Sequence, residues 1–222
     1  MRVLSENQQL LARYLSAAGC SFIASLKIGL DVWEPEETIE MLQFCKDNHG
    51  RATERDFVAA AEEISDKKRR RTIEDVWNIQ DPYRFLNGMD LYLSIKCGDG
   101  DRLERLNDDE KTIFILSLFK EYILYGSFTE FLFNYCGDFA NDIVPALERV
   151  GAMDMSEICK EVFSIYGDTV PLDRDVREDV FNARGEAAWT FADRCNKKLS
   201  ESNDLILNLC YQFILKNKDS FC

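Results

Sequence analysis

The chain has 222 residues, of which 46% are apolar and 12% aromatic, and this content suffices for one sizeable core and excludes a disordered chain. Its formal net charge of −13 repels nucleic acid and anionic membranes, so we expect direct binding to neither and favour basic protein partners. Since only 4 residues are Pro and 11 are Gly, a loop-rich all-β chain is disfavoured, and we predict an all-α, multi-helix globular bundle.

The acidity belongs to the second part of the chain. Residues 1–72 hold 11 Lys/Arg and 12 Asp/Glu, whereas residues 73–222 hold 16 and 28, so the net charges are −1 and −12. The change coincides with the basic run KKRRR, which we interpret as a solvated helix end or linker rather than a nucleic-acid contact. We predict a small helical N-terminal extension or subdomain (1–72) and an acidic all-α domain (73–222).

The cysteine and histidine content argues against a zinc site. Eight cysteines show no C-x-x-C spacing, and His49 is the only histidine. Apolar neighbours around most cysteines are typical of reduced, half-buried thiols, and we predict a cytoplasmic protein. Because no run reaches the roughly 18 apolar residues of a membrane span, we expect neither membrane insertion nor secretion.

Helical signals follow one another along the N-terminal part. Apolar residues recur at helical spacing over 5–30, with an interruption at Gly19. Pro35 and the acidic residues after it fit the first turn of a helix that extends to Lys46. Thr53 is predicted to start a further helix, which ends in the basic run.

Capping signals mark the first helices of the acidic part. Asp81 precedes a proline and opens a helix through about Lys96. Asn107 and Glu110 form a capping-box arrangement before a run that is apolar on nearly every face. We therefore predict that this second helix is central to the fold.

Residues 125–140 contain helix breaks and regularly spaced aromatic residues. Gly126 and Ser127 interrupt the apolar run, and Phe128 and Phe131 then recur at helical spacing before Asn134. The aromatic residues are interpreted as core packing rather than as a binding site.

A further helix is predicted after this segment. Gly137 supplies a flexible joint, and Asp138 is well placed as the N-cap of a helix that ends at Gly151. Pro145 lies inside this helix and removes a hydrogen bond, so we expect a kink there or a break before Ala146.

The last part of the chain continues the helical pattern. Asp154 and Glu157 repeat the capping-box spacing for a helix through Tyr166. The segment Pro-Leu-Asp at 171–173 begins another helix, and no alternation typical of strands persists along the chain.

The spacing of these residues resembles a known signature. The arrangement G-S-F-x-x-F-x-x-N-x-x-G-D-x-A, followed by a helix that ends V-G-A, resembles the bacterial DNA-mimic protein family over about residues 75–222. Just before the motif, L-Y-G-S stands where the family usually has N-N-G-G. The matching positions, interpreted as structural, are Gly126, Phe128, Phe131, Asn134, Gly137, Asp138 and Ala140.

The resemblance implies a fold, an assembly and a mode of action. It implies an all-α fold, a homodimer, and action as a DNA mimic that occupies the DNA-binding surface of a transcription factor. Mimicry requires carboxylates that are spaced like phosphates on a rigid face. The candidate carboxylates for such a partner surface are Asp108, Asp109, Asp173, Asp175, Glu178 and Asp179.

Two functions remain open from the sequence. The first is an acidic helical interaction protein that binds a basic or DNA-binding protein and blocks it, with no catalytic, metal or cofactor residues. The second is an enzyme or small-ligand module that uses the loop from Asn134 to Asp138, which requires a concave site with converging polar groups. We favour the first, because no phosphate-loop or calcium-loop spacing and no catalytic set is found.

Overall fold

The computed structural model describes residues 6–17, 35–48 and 54–222. All regular elements in these ranges are helices and none is a strand, so the predicted all-α fold is confirmed. The chain divides into two compact units, Met1–Arg71 and Thr72–Cys222. This division lies one residue from the predicted boundary, and whether the two units are independent domains stays a prediction.

The first unit contains three described helices. They are α1 (Glu6–Ala17), α2 (Pro35–Asp47) and α3 (Glu54–Arg69). Proline does begin α2, as predicted, and α3 ends inside the basic run. The predicted interruption at Gly19 and the predicted helix start at Thr53 lie outside the described residues, as does the single histidine, His49. Lys67 of the basic run is bonded to Glu40 on α2, which is a contact within this unit.

The second unit is a bundle around one long helix. Its α-helices in chain order are α4 (Ile73–Trp77), α5 (Pro82–Cys97), α6 (Asp108–Tyr125), α7 (Phe128–Leu132), α8 (Ala140–Val150), α9 (Met153–Phe163), α10 (Arg174–Asn182), α11 (Glu186–Glu201) and α12 (Asn203–Lys216). Helix α6 packs against α5, α7, α8, α11 and α12, so its predicted central position is confirmed. Among the described residues, no helix is both long enough and apolar enough to cross a membrane.

The capping box at the start of α6 is confirmed. The side-chain oxygen of Asn107 accepts hydrogen bonds from the backbone amides of Asp109 and Glu110, each at 3.0 Å. In return the Glu110 carboxylate accepts from the Asn107 amide at 3.1 Å. The predicted cap of α5 is also present, because Asp81 accepts from the amide of Arg84 at 2.9 Å.

The second predicted capping box, at Asp154 and Glu157, is wrong. Helix α9 begins at Met153, directly after Ala152, and Ala152 provides no side-chain cap. The cause is the tight turn between α8 and α9, in which Gly151 adopts a left-handed φ of 86° and the Ala152 amide bonds to Leu147. This turn starts α9 two residues earlier than a capping box at Asp154 would allow. The helix ends at Phe163, and the segment to Tyr166 is a 3₁₀ turn.

The predicted break before Ala146 is also wrong. Helix α8 runs from Ala140 to Val150 with Pro145 inside it. Proline removes the amide that would bond to the carbonyl four residues earlier, at Asn141. Asn141 is exposed, and its side chain binds the backbone of Val170 in both directions, at 2.9 and 2.8 Å. Helix α8 therefore continues through Pro145 without this backbone bond.

The core is rich in aromatic rings that meet edge to face. Phe119 on α6 lies 5.9 Å from Phe128 and 5.4 Å from Phe131, measured between ring centroids. Phe128 also packs on Phe163 of α9 at 5.6 Å. Such pairs add stability beyond the buried area alone. They join α6, α7 and α9 at the position of the sequence motif.

Candidate functional site

The first half of the motif builds the short helix α7. The hydroxyl of Ser127 accepts a hydrogen bond from the amide of Glu130 at 3.1 Å and so caps the helix. Phe128 and Phe131 are fully buried, while the side-chain amide of Asn134 donates to the Glu130 carbonyl at 2.7 Å. These motif positions start α7, anchor it in the core and follow its last turn.

The second half of the motif surrounds a buried arginine. Arg177 on α10 has no exposed surface, and its guanidinium reaches three groups of the motif segment. Its Nε donates to the Leu132 carbonyl at 2.6 Å and its Nη2 to the Asn134 carbonyl at 3.1 Å. Its Nη1 donates to the Asp138 carboxylate at 2.9 Å. The buried charge is thereby paired and hydrogen-bonded, which is the condition for burying it.

The same guanidinium holds the chain that enters α10. Its Nη1 also donates to the carbonyls of Pro171, at 3.0 Å, and Leu172, at 2.7 Å. Arg177 therefore fastens the start of its own helix to the motif segment. We call this arrangement the Arg177 socket, formed by the Asp138 carboxylate and by the carbonyls of Leu132, Asn134, Pro171 and Leu172.

Gly137 makes the socket possible. A Cβ atom at this position would collide with the Leu132 carbonyl oxygen and lie 2.9 Å from both Nε and Nη2 of Arg177. Any side chain would displace the guanidinium, and the flexible joint stays a prediction. The glycine is required because two groups approach its backbone closely.

Asp138 is not a helix cap, so that prediction is wrong. It lies in the 3₁₀ turn Tyr135–Phe139, and α8 begins at Ala140 without a side-chain cap. Its carboxylate is the counterion of Arg177, and about half of the side chain, 53%, remains exposed. The buried guanidinium is a stronger partner than a helix amide, because the bond to it is between two charged groups.

Sequence reasoning missed Arg177 because it lies in the strongly charged segment RDVREDVF. One signal was available. Arg177 precedes Phe181 by four residues, and residues at this spacing share one helix face. Phe181 is fully buried and packs on Phe133 at 5.5 Å between ring centroids. The arginine therefore lies on the buried face of α10.

The loop from Asn134 to Asp138 offers few free polar groups. The Asn134 amide is bonded to Glu130, and its carbonyl and the Asp138 carboxylate are bonded to Arg177. Burial raises the pKa of the Cys136 thiol, which also interacts with the hydroxyl of Tyr135, so no reactive thiolate is present at neutral pH. In the described ranges no three Cys, His, Asp or Glu side chains are grouped as metal ligands.

The two candidate carboxylates at the start of α6 differ in exposure and in ion pairing. Asp108 is exposed in the first turn, where its charge favours the helix dipole. Asp109 accepts from Nε and Nη2 of Arg149, at 3.2 and 2.7 Å, and only 16% of its side chain is exposed. Asp109 is thus committed to an ion pair within the fold.

The four candidate carboxylates at α10 form the better surface. Asp173 caps the helix by accepting from the Val176 amide at 3.1 Å. Asp175 and Asp179 are exposed and four residues apart, which places them on one face, and Glu178 is half-buried. None of these four forms an ion pair with a described residue of the chain.

Two lysines of this unit form ion pairs with carboxylates away from α10. Lys120 is 8% exposed and lies 2.9 Å from Asp90, and Lys96 lies 2.6 Å from the buried Glu110. Because these lysines neutralise internal carboxylates, they do not offset the charge of α10. On α10 itself Arg174 is exposed, so the four carboxylates give this helix an excess of negative charge rather than a purely acidic surface.

Comparison with known protein families gave a match that covers about half of the chain. A family model described as DMP19-like protein matches residues 104–217. The match includes the whole motif, the Arg177 socket and α10, and it is shorter than the expected range of 75–222. Neither the curated proteins nor the solved structures gave a match.

Proposed function

The chain belongs to the DMP19-like protein family, a DNA-mimic family, and we propose on this premise that it binds a DNA-binding protein through its acidic surface and blocks that protein. The proposal is carried by one observation. The exposed carboxylates of α10 have no ion-pair partner among the described residues, on a helix that a buried arginine holds in place. The family resemblance stated from the sequence is confirmed.

Helix geometry supports mimicry of a phosphate row. Side chains four residues apart on a helix have Cβ atoms about 5–6 Å from each other, so Asp175 and Asp179 repeat charge at short intervals. Arginine and lysine bind carboxylates and phosphates with the same charge-assisted hydrogen bonds. A protein surface made to bind DNA phosphates can therefore bind this face of α10.

Binding rather than catalysis is part of the proposal. A small-ligand or catalytic site around Asn134 and Asp138 would need polar groups that point into a cleft. The polar groups of this loop bond to Glu130 and Arg177 instead, which supports a structural role for the motif. We accordingly propose that the chain is not an enzyme and needs no cofactor.

The assembly and location are proposed on the basis of the family and the partner class. We propose a homodimer, as the family resemblance implies, and a cytoplasmic location, where a bacterial DNA-binding protein is found. Sedimentation equilibrium of the purified chain tests the first point. A mass equal to that of one 25.7 kDa chain at every concentration would contradict it.

The proposed function is tested by capture from the native lysate. The immobilised chain should retain basic proteins at 50 mM salt and release them when salt or duplex DNA is added, because both compete for the cationic groups of the partner. Two variants of equal charge change are compared. The α10 variant carries Asp175→Asn, Glu178→Gln and Asp179→Asn, and the loop variant carries Asp99→Asn, Asp101→Asn and Glu104→Gln.

The loop variant is the control because it removes the same charge from three carboxylates that are exposed. We expect the α10 variant to lose most of the captured protein and the loop variant to retain it. Equal capture by both variants would contradict the proposed site. Capture that neither salt nor duplex DNA reverses would contradict the proposed mimicry.

A further inference from the structure

The exposed surface at the start of α10 is not purely acidic. Leu172, directly before the N-cap, is 70% exposed, and Val176 in the first turn is 45% exposed. Asp173 and Asp175 lie between them in the sequence, and Asp179 follows one turn further on. We call these five residues the mixed face of α10.

The backbone of Leu172 is held in place while its side chain stays in water. The carbonyl of Leu172 accepts from Nη1 of Arg177 at 2.7 Å, while its side chain remains largely exposed. A hydrophobic residue directly before the N-cap usually packs against the first turns of its own helix. Here the position after that turn is the buried Arg177, whose guanidinium occupies the space beneath with five hydrogen-bonded oxygens. The side chain of Leu172 therefore remains available to a partner.

Helix periodicity separates the mixed face from the buried one. Asp179 lies four residues after Asp175 and three after Val176, so these three residues share one side of α10. Arg177 and Phe181 occupy the other face and are fully buried. A partner that approaches the carboxylates from solvent consequently meets Val176 at the same time.

We propose that Leu172 and Val176 are apolar anchors for the basic protein that α10 binds, and that this protein carries an apolar recess beside its cationic groups. The inference rests on the proposed function and names the chemistry of the partner surface. The carboxylates complement the cations, whereas burial of Leu172 adds affinity that salt does not screen. A partner surface made only of lysine and arginine would leave both anchors in water.

The anchors are tested with two synthetic peptides as probes. Both contain the same number of lysines, separated by leucine in one peptide and by serine in the other, and binding is measured by isothermal titration calorimetry. We expect the Lys/Leu peptide to bind more tightly to the unmodified chain. Leu172→Ala should reduce the ratio of the two affinities about tenfold, since it deletes the apolar contact but no charge.

The matched control is Leu215→Ala on α12, where leucine is 42% exposed, and it should leave the preference unchanged. The α10 variant should bind both peptides more weakly, by the same factor. Equal binding of the two peptides, or equal losses in the two leucine variants, would overturn the anchors and leave the proposed function standing. Binding of neither peptide at low salt would overturn the proposed function and the anchors together.

Discussion

Arg177 connects segments that are distant in the chain. It lies 45 residues from Leu132 and 39 from Asp138, and it bonds to both. The guanidinium is fully buried, so loss of the Asp138 carboxylate would leave that charge without its counterion, although the exposed half of Asp138 reduces the effect through solvent screening. The motif therefore stabilises α10 through one side chain, and Gly137 provides the space for it.

Gly137→Ala should destabilise the protein strongly. The new methyl group would collide with the Leu132 carbonyl and with the guanidinium of Arg177. We expect a loss of about 3 kcal/mol in the free energy of unfolding, measured by urea denaturation.

The control is Gly151→Ala, where a Cβ meets nothing within 4 Å but φ is +86°. Its cost should be about 1 kcal/mol, from backbone strain alone. If both variants lose the same stability, the close packing at Gly137 is not what the socket requires.

Buried thiols make stability depend on alkaline pH. Cys159 is fully buried, and burial raises its pKa well above the ordinary value of 9.0. At a pH between 9.0 and the raised pKa, the unfolded chain has released the thiol proton, whereas the folded chain retains it. Stability from this group is therefore complete below pH 9 and is lost as pH rises.

Cys159→Ala should reduce that loss by up to about 1.4 kcal/mol per pH unit above pH 9. The measurement is urea unfolding between pH 8 and 10.5, where a cost from the smaller side chain appears equally at every pH. The exposed Cys222→Ala serves as the control. An unchanged slope in Cys159→Ala would show that this thiol does not remain protonated in the folded chain.

At the scale of elements, local signals predicted helices well. The sequence showed the caps at Asp81 and Asn107, because the residues that form each cap lie within four positions of one another. It also showed the central position of α6, because this helix is apolar on nearly every face. Asp138 and Arg177 could not be paired from the sequence, since their contact spans 39 residues. Asp154 was misread because the turn at Gly151 fixes where α9 begins.

The two predicted capping boxes allow a direct comparison. Asn107→Ala should cost about 1 kcal/mol or more, because it removes the acceptor of two backbone amides. Asp154→Ala should change stability by less than about 0.5 kcal/mol, since this exposed residue caps nothing. Equal effects in thermal or urea unfolding would show that the α6 capping box contributes no more than an ordinary surface residue.

At the scale of the whole molecule, the carboxylates divide into those that form ion pairs within the fold and those that form none with a described residue. Residues 73–222 carry a net charge of −12, yet several carboxylates are used internally, as in the pairs Asp90–Lys120 and Asp109–Arg149. The total charge was readable from the sequence, whereas the division between paired and unpaired carboxylates depends on tertiary contacts. That division is what directs the functional hypothesis to α10.

Competition for DNA tests the central claim most directly. A DNA-binding protein captured by the chain is purified and bound to a fluorescent duplex, and release of the duplex is followed by anisotropy as the chain is added. We predict that the unmodified chain and the loop variant release the duplex at similar concentrations, while the α10 variant needs at least about tenfold more. Simultaneous binding of chain and duplex, or equal release by both variants, would contradict the account.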